Sequence, residues 1–223
     1  MSDHAHGAAA SVRSRSQLGL QSRRVLASAQ AFLALAALII LLPLLVLICI
    51  AIYIQDGGPV LFGHQRVGQG GRPFTCLKFR SMAKDAEARL AALLAADPKA
   101  RAEWSRDFKL RRDPRVTKLG DLLRRSSLDE LPQLVNVIRG EMNLVGPRPI
   151  VLAEAARYGW RIRHYHAVKP GITGLWQVSG RNDLSYRRRV AMDSLYARRR
   201  GVVLDFRILV LTIPAVLLRR GSY

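Results

Sequence analysis

Acidic residues are scarce. The 223 residues hold 16 Asp and Glu against 36 Lys and Arg, a formal net charge of +20. Such a surface seeks polyanions: nucleic acid, anionic lipid or a phosphorylated substrate. Cysteine is scarcer still, with two residues, Cys49 in an apolar run and Cys76 in a predicted strand. That excludes a disulfide framework and favours a reducing, cytoplasmic setting. Internal repeats are missing, as are a helix-turn-helix pattern and an RNP motif, which weighs against nucleic acid as the polyanion. His164 and His166 are two apart, with no third ligand spaced to complete a metal site.

Charge of either sign is absent from Ala31 to Ile54. The run FLALAALIILLPLLVLICIAIYI is long enough to cross a bilayer as one helix. It is too long for a cleaved signal peptide and lacks a small-residue cleavage site. Pro43 stands in its middle, where it removes a helix hydrogen bond and promotes a kink. Both flanks are basic: Arg13, Arg15, Arg23 and Arg24 before, Arg66, Arg72, Lys78 and Arg80 after. A rule that keeps positive flanks in the cytoplasm would put both ends on one side. A helix that enters, bends at Pro43 and returns satisfies both facts; a plain crossing with a tolerated proline is the alternative.

What is present begins after Asp56-Gly57-Gly58-Pro59, which ends the helix. Val60–Val67 and Pro73–Phe79 read as a hairpin closed by Gly68-Gln69-Gly70-Gly71. Lys78 and Arg80, two apart, would share a strand face. Residues 83–96 and a segment opening at Asp97-Pro98 read as helices, and Lys109 to Lys118 as a basic loop. Ser126 to Pro149 crowds acid and base where a helix should begin. Ser127 with Glu130 fits a capping box, and Leu131, Leu134, Val135 and Ile138 form an apolar stripe that stops at Gly140. Ile150–Tyr158 reads as a helix. Lys169 to Asn182 is a Gly-rich loop able to turn backbone N–H groups toward phosphate. Asp183–Arg200 is a helix enclosing Asp193, and Asp205–Arg220 an amphipathic run suited to a membrane surface.

Taken in order, Lys78-Phe79-Arg80-Ser81-Met82, Ser127 to Gln133, Gly140-Glu141-Met142, Val145-Gly146-Pro147-Arg148-Pro149 and Lys169 to Gly174 through Gly180-Arg181-Asn182 closely resemble the bacterial sugar transferases. These are small monotopic polyprenyl-phosphate phosphoglycosyl transferases, and the likeness is strongest to the galactosyl-1-phosphate transferases of exopolysaccharide production. The resemblance implies a mainly α protein with a small β-hairpin (α+β), anchored by a re-entrant, Pro-bent helix and amphipathic interfacial helices. Its divisions would be a disordered basic tail over 1–22, a re-entrant membrane helix over 23–56, and a cytoplasmic catalytic domain over 57–223 ending in a membrane-surface helix. Where many relatives carry Ser-Pro at the bend, this chain has Leu42-Pro43.

The reaction so implied moves a sugar 1-phosphate from a UDP-sugar to undecaprenyl phosphate at the cytoplasmic membrane face, releasing UMP. The resemblance makes Asp129 the nucleophile, forming a phospho-aspartyl sugar, and Glu130 the holder of Mg²⁺, with Asp193 an acidic position near the metal. Lys78, Arg124 and Arg148 would clamp phosphate oxygens, with Arg80 also on the substrate side. Gln177, Arg181 and Asn182 would contact the nucleotide or diphosphate. Galactose is the favoured sugar, then glucose, then an acetamido sugar. Anionic lipids of the cytoplasmic leaflet are expected partners, nucleic acid is not, and a homodimer is left open. Two readings of other classes compete: a basic membrane-bound nucleic-acid-binding protein, which would show a steep salt dependence, and an inactive scaffold of the same fold.

Overall fold

A computed structural model describes residues 25–107, 110, 113–180 and 184–217. The tail expected over 1–22, Arg181 and Asn182 lie outside the described residues. The apolar run forms two helices, α1 (Val25–Ile40) and α2 (Leu42–Asp56), bent by 63°. Proline explains the break. Pro43 has no N–H for the Ile39 carbonyl, and its ring crowds that carbonyl. Leu41 stands at the corner, still bonded back to Ala37 at 2.9 Å and forward to Leu45 at 2.9 Å. Neither helix alone is long and apolar enough to cross a membrane.

The hairpin forms as read from the glycines that join its strands. Strands β1 (Leu61–Val67) and β2 (Pro73–Phe79) pair antiparallel, Phe62 opposite Lys78. Helices α3 (Ala86–Ala96) and α4 (Pro98–Asp107) follow. Within the stretch read as a basic loop, the described residues 113–117 lead into α5 (Lys118–Arg125), which the sequence reading missed. Thr117 caps α5 by accepting from the Gly120 N–H at 2.9 Å. Gly120 has no alternative there, because a Cβ would lie 1.9 Å from the Ser81 carbonyl oxygen.

The central stretch departs from its reading. Ser127 caps no helix: it has φ +58° and no side-chain cap bond. A 3₁₀ turn, Leu128–Glu130, follows it, and the α-helix α6 covers only Gln133–Ile138. Pro132 occupies the N-cap of α6, where its missing N–H costs nothing. The buried face of α6 is Gln133, Leu134, Asn136 and Val137, while Ile138 is exposed. The apolar stripe failed as a guide because two polar residues take core positions. Gly140 stops the segment at φ +74°, as read.

A second sheet went unread. Strands β3 (Asn143–Val145) and β4 (Gly171–Thr173) pair in parallel. Between them lie α7 (Leu152–Tyr158) and α8 (Ile162–His166). The chain ends its described part in α9 (Leu175–Val178), α10 (Tyr186–Arg199) and α11 (Val202–Leu217). The architecture is mostly helical with small sheets, as expected.

Both halves of the bent helix pack around β2. Ala34 of α1 joins Phe74, Cys76, Leu134, Val137 and Met142. Ile48 and Ile52 of α2 join Phe79 and Leu123, with Leu128 and Leu131 against them. The dyad-bearing turn is therefore wedged between α2 and β2. Outward, α1, α2 and α11 leave large apolar side chains exposed, among them Phe32, Ile40, Ile54, Val203, Phe206 and Ile213.

Candidate active site

Two acids and a lysine form the centre. Lys78 reaches from β2 to Glu130 Oε1 at 2.6 Å and lies 3.6 Å from Asp129 Oδ2. Arg148, from the Gly146-Pro147-Arg148-Pro149 turn, stands 3.5 Å from Glu130 Oε1. Arg66, Lys78, Glu130, Gln133, Arg148 and Gln177 line one cleft.

Local structure sets each of these. Asn136 is fully buried and clamps β2 on both sides of Cys76, accepting from the Leu77 N–H at 3.0 Å and donating to the Thr75 carbonyl at 2.8 Å. Its amide also donates to Glu141 at 2.6 Å. These bonds tie α6 to β2, so the strand carrying Lys78 keeps a fixed register against Glu130. Asn136 is a positioning residue that the sequence reading passed over, as it did Arg66 and Gln133. Polar residues inside an apolar repeat were the available signal for Gln133 and Asn136.

The two carboxylates have opposite electrostatics. Burial pushes the Asp129 carboxyl above the ordinary range, against the pull of Lys78. Glu130 pays a burial penalty too, but Lys78 and Arg148 outweigh it and hold its carboxyl down to about 2. Asp129 is only 7% exposed. A desolvated carboxylate beside a lysine is a strong oxygen nucleophile, and its partner stays anionic at any physiological pH.

Other expected residues fall in and out of this centre. Arg124 donates to the Ser81 hydroxyl at 2.8 Å, and its charge acts on Asp129. Gln177 lines the cleft; its amide donates to the Ile172 carbonyl at 3.1 Å, and its buried Oε1 has no partner. Arg80 turns away from the cleft to Asp56 and the Gly57 carbonyl at the end of α2. Alternation would have put it beside Lys78, but it lies one residue beyond the strand. Asp193 on α10 is 2% exposed and accepts from the Tyr158 hydroxyl at 2.7 Å.

Magnesium fits part of the donor set expected for it. It takes hard oxygen donors, usually one or two carboxylates plus phosphate oxygens. Glu130 lines the cleft as a carboxylate, with Asp129 next to it. Asp193 does not fit, because it is enclosed with Tyr158 and burial raises its carboxyl to about 7. Among the described residues no three His, Cys, Asp or Glu side chains gather as a metal cage.

The chain is 53% identical over 190 residues to the UDP-galactose-lipid carrier transferase of Erwinia amylovora, a match covering 85% of this chain and 40% of that protein. It is 54% identical over 169 residues to the undecaprenyl-phosphate galactose phosphotransferase of Salmonella typhimurium, covering 76% of this chain and 36% of the relative. It is 48% identical over 191 residues to the exopolysaccharide production protein ExoY of Sinorhizobium fredii, covering 86% and 84%. The chain thus spans about two fifths of the first two relatives and most of the third. The family model described as bacterial sugar transferase matches residues 22–219, and the chain belongs to that family.

Proposed function

We propose that this chain transfers galactose 1-phosphate from UDP-galactose to undecaprenyl phosphate, releasing UMP, as a first step in building an exopolysaccharide repeat unit. The observation that carries the reading is the buried Asp129 beside Glu130, bridged by Lys78 at 3.6 and 2.6 Å. Galactose comes from the names of two relatives at 53% and 54% identity; glucose and an acetamido sugar remain the alternatives.

Phosphorus in a diphosphate is shielded by oxyanions, so attack needs cations and a positioned nucleophile. An ionised Asp129 oxygen attacks the phosphorus that bears the sugar. A new P–O bond forms, the P–O bond to UMP breaks, and UMP departs with the electron pair. Asp129 then carries the sugar phosphate as an acyl phosphate. An oxygen of undecaprenyl phosphate attacks the same phosphorus and expels the Asp129 carboxylate, leaving undecaprenyl-diphosphate galactose. Splitting one transfer into two lets both substrates use one site in turn. Lys78 and Arg148 offset the charge that develops on the phosphoryl oxygens. Glu130, with Asp129 beside it, would hold Mg²⁺, which when bound neutralises diphosphate charge.

The decisive test is Asp129→Asn in purified protein given UDP-galactose, Mg²⁺ and undecaprenyl phosphate. The expected result is loss of UMP release and of covalent label from a donor radiolabelled in the sugar phosphate. Unchanged UMP release would end the nucleophile assignment. UMP release across a panel of UDP-sugars identifies the sugar.

The re-entrant geometry belongs to the same proposal. The exposed apolar faces of α1 and α2, the 63° bend and the basic flanks support a helix pair seated in one leaflet, with the site facing the cytoplasm. Anionic lipid would hold the basic surface against the membrane, at about 1 kcal/mol per well-placed Lys or Arg. Single cysteines at Ser28 and Gln69, with Cys49 and Cys76 replaced, should both react only from the cytoplasmic side. Periplasmic labelling of Ser28 would establish a crossing helix instead.

A further inference from the structure

The cleft holds a cation that the transfer chemistry above does not use. Arg66 lines it with Lys78 and Arg148, and its side chain is only 16% exposed. The nearest acid, Glu154, lies at 3.9 Å, the outer limit of an ion pair. That carboxylate already accepts from the Val151 N–H at 3.1 Å at the start of α7. The other contact of Arg66 is to His64 Nδ1 at 3.3 Å, which carries no compensating negative charge in a neutral ring. Burial and the nearby Arg148 both disfavour the Arg66 charge. A desolvated guanidinium held near a like charge, with its carboxylate partner shared and at the limit of an ion pair, is stabilised by a further anion in the cleft.

Its placement is built into the fold. The Tyr165 side chain is 1% exposed, and its hydroxyl donates to the Val67 carbonyl at 2.7 Å and accepts from the Ile150 N–H at 3.3 Å. The Val67 N–H in turn donates to the Ile150 carbonyl at 2.9 Å. One phenol thus stitches the end of β1, next to Arg66, to the segment two residues past Arg148.

We infer that Arg66 is a phosphate-binding residue of this site, completing with Lys78 and Arg148 a three-cation cradle that Tyr165 holds in register. Glu130 already engages Lys78 and Arg148, whereas the nearest carboxylate to Arg66 is Glu154 at 3.9 Å. On esterification the negative charge of Asp129 passes to the phosphoryl oxygens, which the same cations face. The guanidinium fork suits two oxygens of one phosphate. The inference rests on the transferase reading for the identity of that phosphate, which is either the nucleotide's or the lipid's.

The test is Arg66→Gln in detergent-solubilised full chain, measured in two arms. Direct titration with UMP, without turnover, reads the nucleotide phosphate. The KM for undecaprenyl phosphate reads the lipid phosphate. Loss of a charge-assisted contact should weaken one of them by about 10- to 100-fold, and the arm that moves names the source. Tyr165→Phe should move the same arm by less while leaving the other in place. UMP affinity and lipid KM both within twofold of the native chain would overturn the assignment. If Arg66→Gln does not fold, Arg66→Lys carries the test, since a point charge without the fork should still weaken the same arm. UMP binding lost in Arg66→Gln while the native chain binds UMP but never releases it from any UDP-sugar of the panel would uphold Arg66 and sink the transferase reading.

Discussion

At the scale of single residues, the site works by splitting two adjacent carboxylates. In the proposed reaction Asp129 attacks only when ionised, so activity should fall as pH drops through its raised value, while Glu130 stays charged down to about 2. The acid limb of the pH–rate profile therefore belongs to Asp129. Lys78→Met removes the charge that opposes the burial of Asp129, so that limb should move to higher pH. The rate at its plateau should fall by about 10²- to 10³-fold, the usual loss when one preorganised electrostatic contact is removed. A limb that does not move would mean Lys78 does not set the Asp129 charge. Asp193 gives a stability prediction instead. Its ordinary value is 3.8 and its folded value about 7. Between those values the unfolded chain gives up the proton and the folded chain keeps it, so stability falls as pH rises across that window and is level above it. Asp193→Asn keeps an oxygen to accept from Tyr158 and removes the buried charge. At pH 8 it should be more stable by about 2–4 kcal/mol, a difference that vanishes toward pH 4, measured by thermal unfolding in detergent.

At the scale of elements, the bent helix is bound to the catalytic hairpin at its far end. Arg80, one residue past β2, pairs with Asp56 at the last turn of α2, and its side chain is 9% exposed. Asp56→Asn leaves a buried guanidinium without its counter-charge, which should destabilise the fold by about 3–5 kcal/mol. A loss under about 1 kcal/mol in thermal unfolding would show the pair to be a loose surface contact. The parallel pair β3–β4 depends on two glycines meeting face to face. A Cβ at Gly171 would lie 2.0 Å from the Gly146 nitrogen, and one at Gly146 lies 2.6 Å from the Lys169 carbonyl oxygen. Backbone cannot yield as a flexible side chain does, so Gly171→Ala should cost about 1–3 kcal/mol through overpacking and displace the turn that carries Arg148. Reduced UMP release together with a lowered melting temperature is the expected pair of readings.

At the scale of the whole molecule, a +20 chain presents apolar side chains on α1, α2 and α11. Exposed apolar faces of that extent mark a surface that is covered in use. Flotation with vesicles should recover the protein from both neutral and anionic lipid. High salt should weaken the anionic preference without releasing the protein, because screening touches only the charge contribution. Release of all protein by salt would make the attachment purely electrostatic and would sink the seated helix pair. The motifs scattered along the chain, Lys78 on β2, Glu130 after α5 and Arg148 before α7, meet at this scale in one cleft.

Much of this was legible in the residues. The hairpin follows from two short strand-like runs joined by glycines, the bend from Pro43 in an uncharged run, and the turn at Gly140 from its freedom at positive φ. These are local consequences of backbone sterics and side-chain periodicity, which neighbours in sequence decide. The ordered motifs also singled out Asp129, Glu130, Lys78 and Arg148. Other features needed the third dimension. Ser127 to Glu130 reads as a capping box, yet packing of Leu128 and Leu131 under α2 forces a 3₁₀ turn and a left-handed serine. Arg80 is turned to Asp56, and Asp193 to Tyr158, because each finds its partner across a distance in sequence that no period encodes. The opposite fates of two neighbouring carboxylates were likewise settled only by folding: burial and charge depend on which cations the tertiary structure brings within a few ångströms, and chain order carries no such distances.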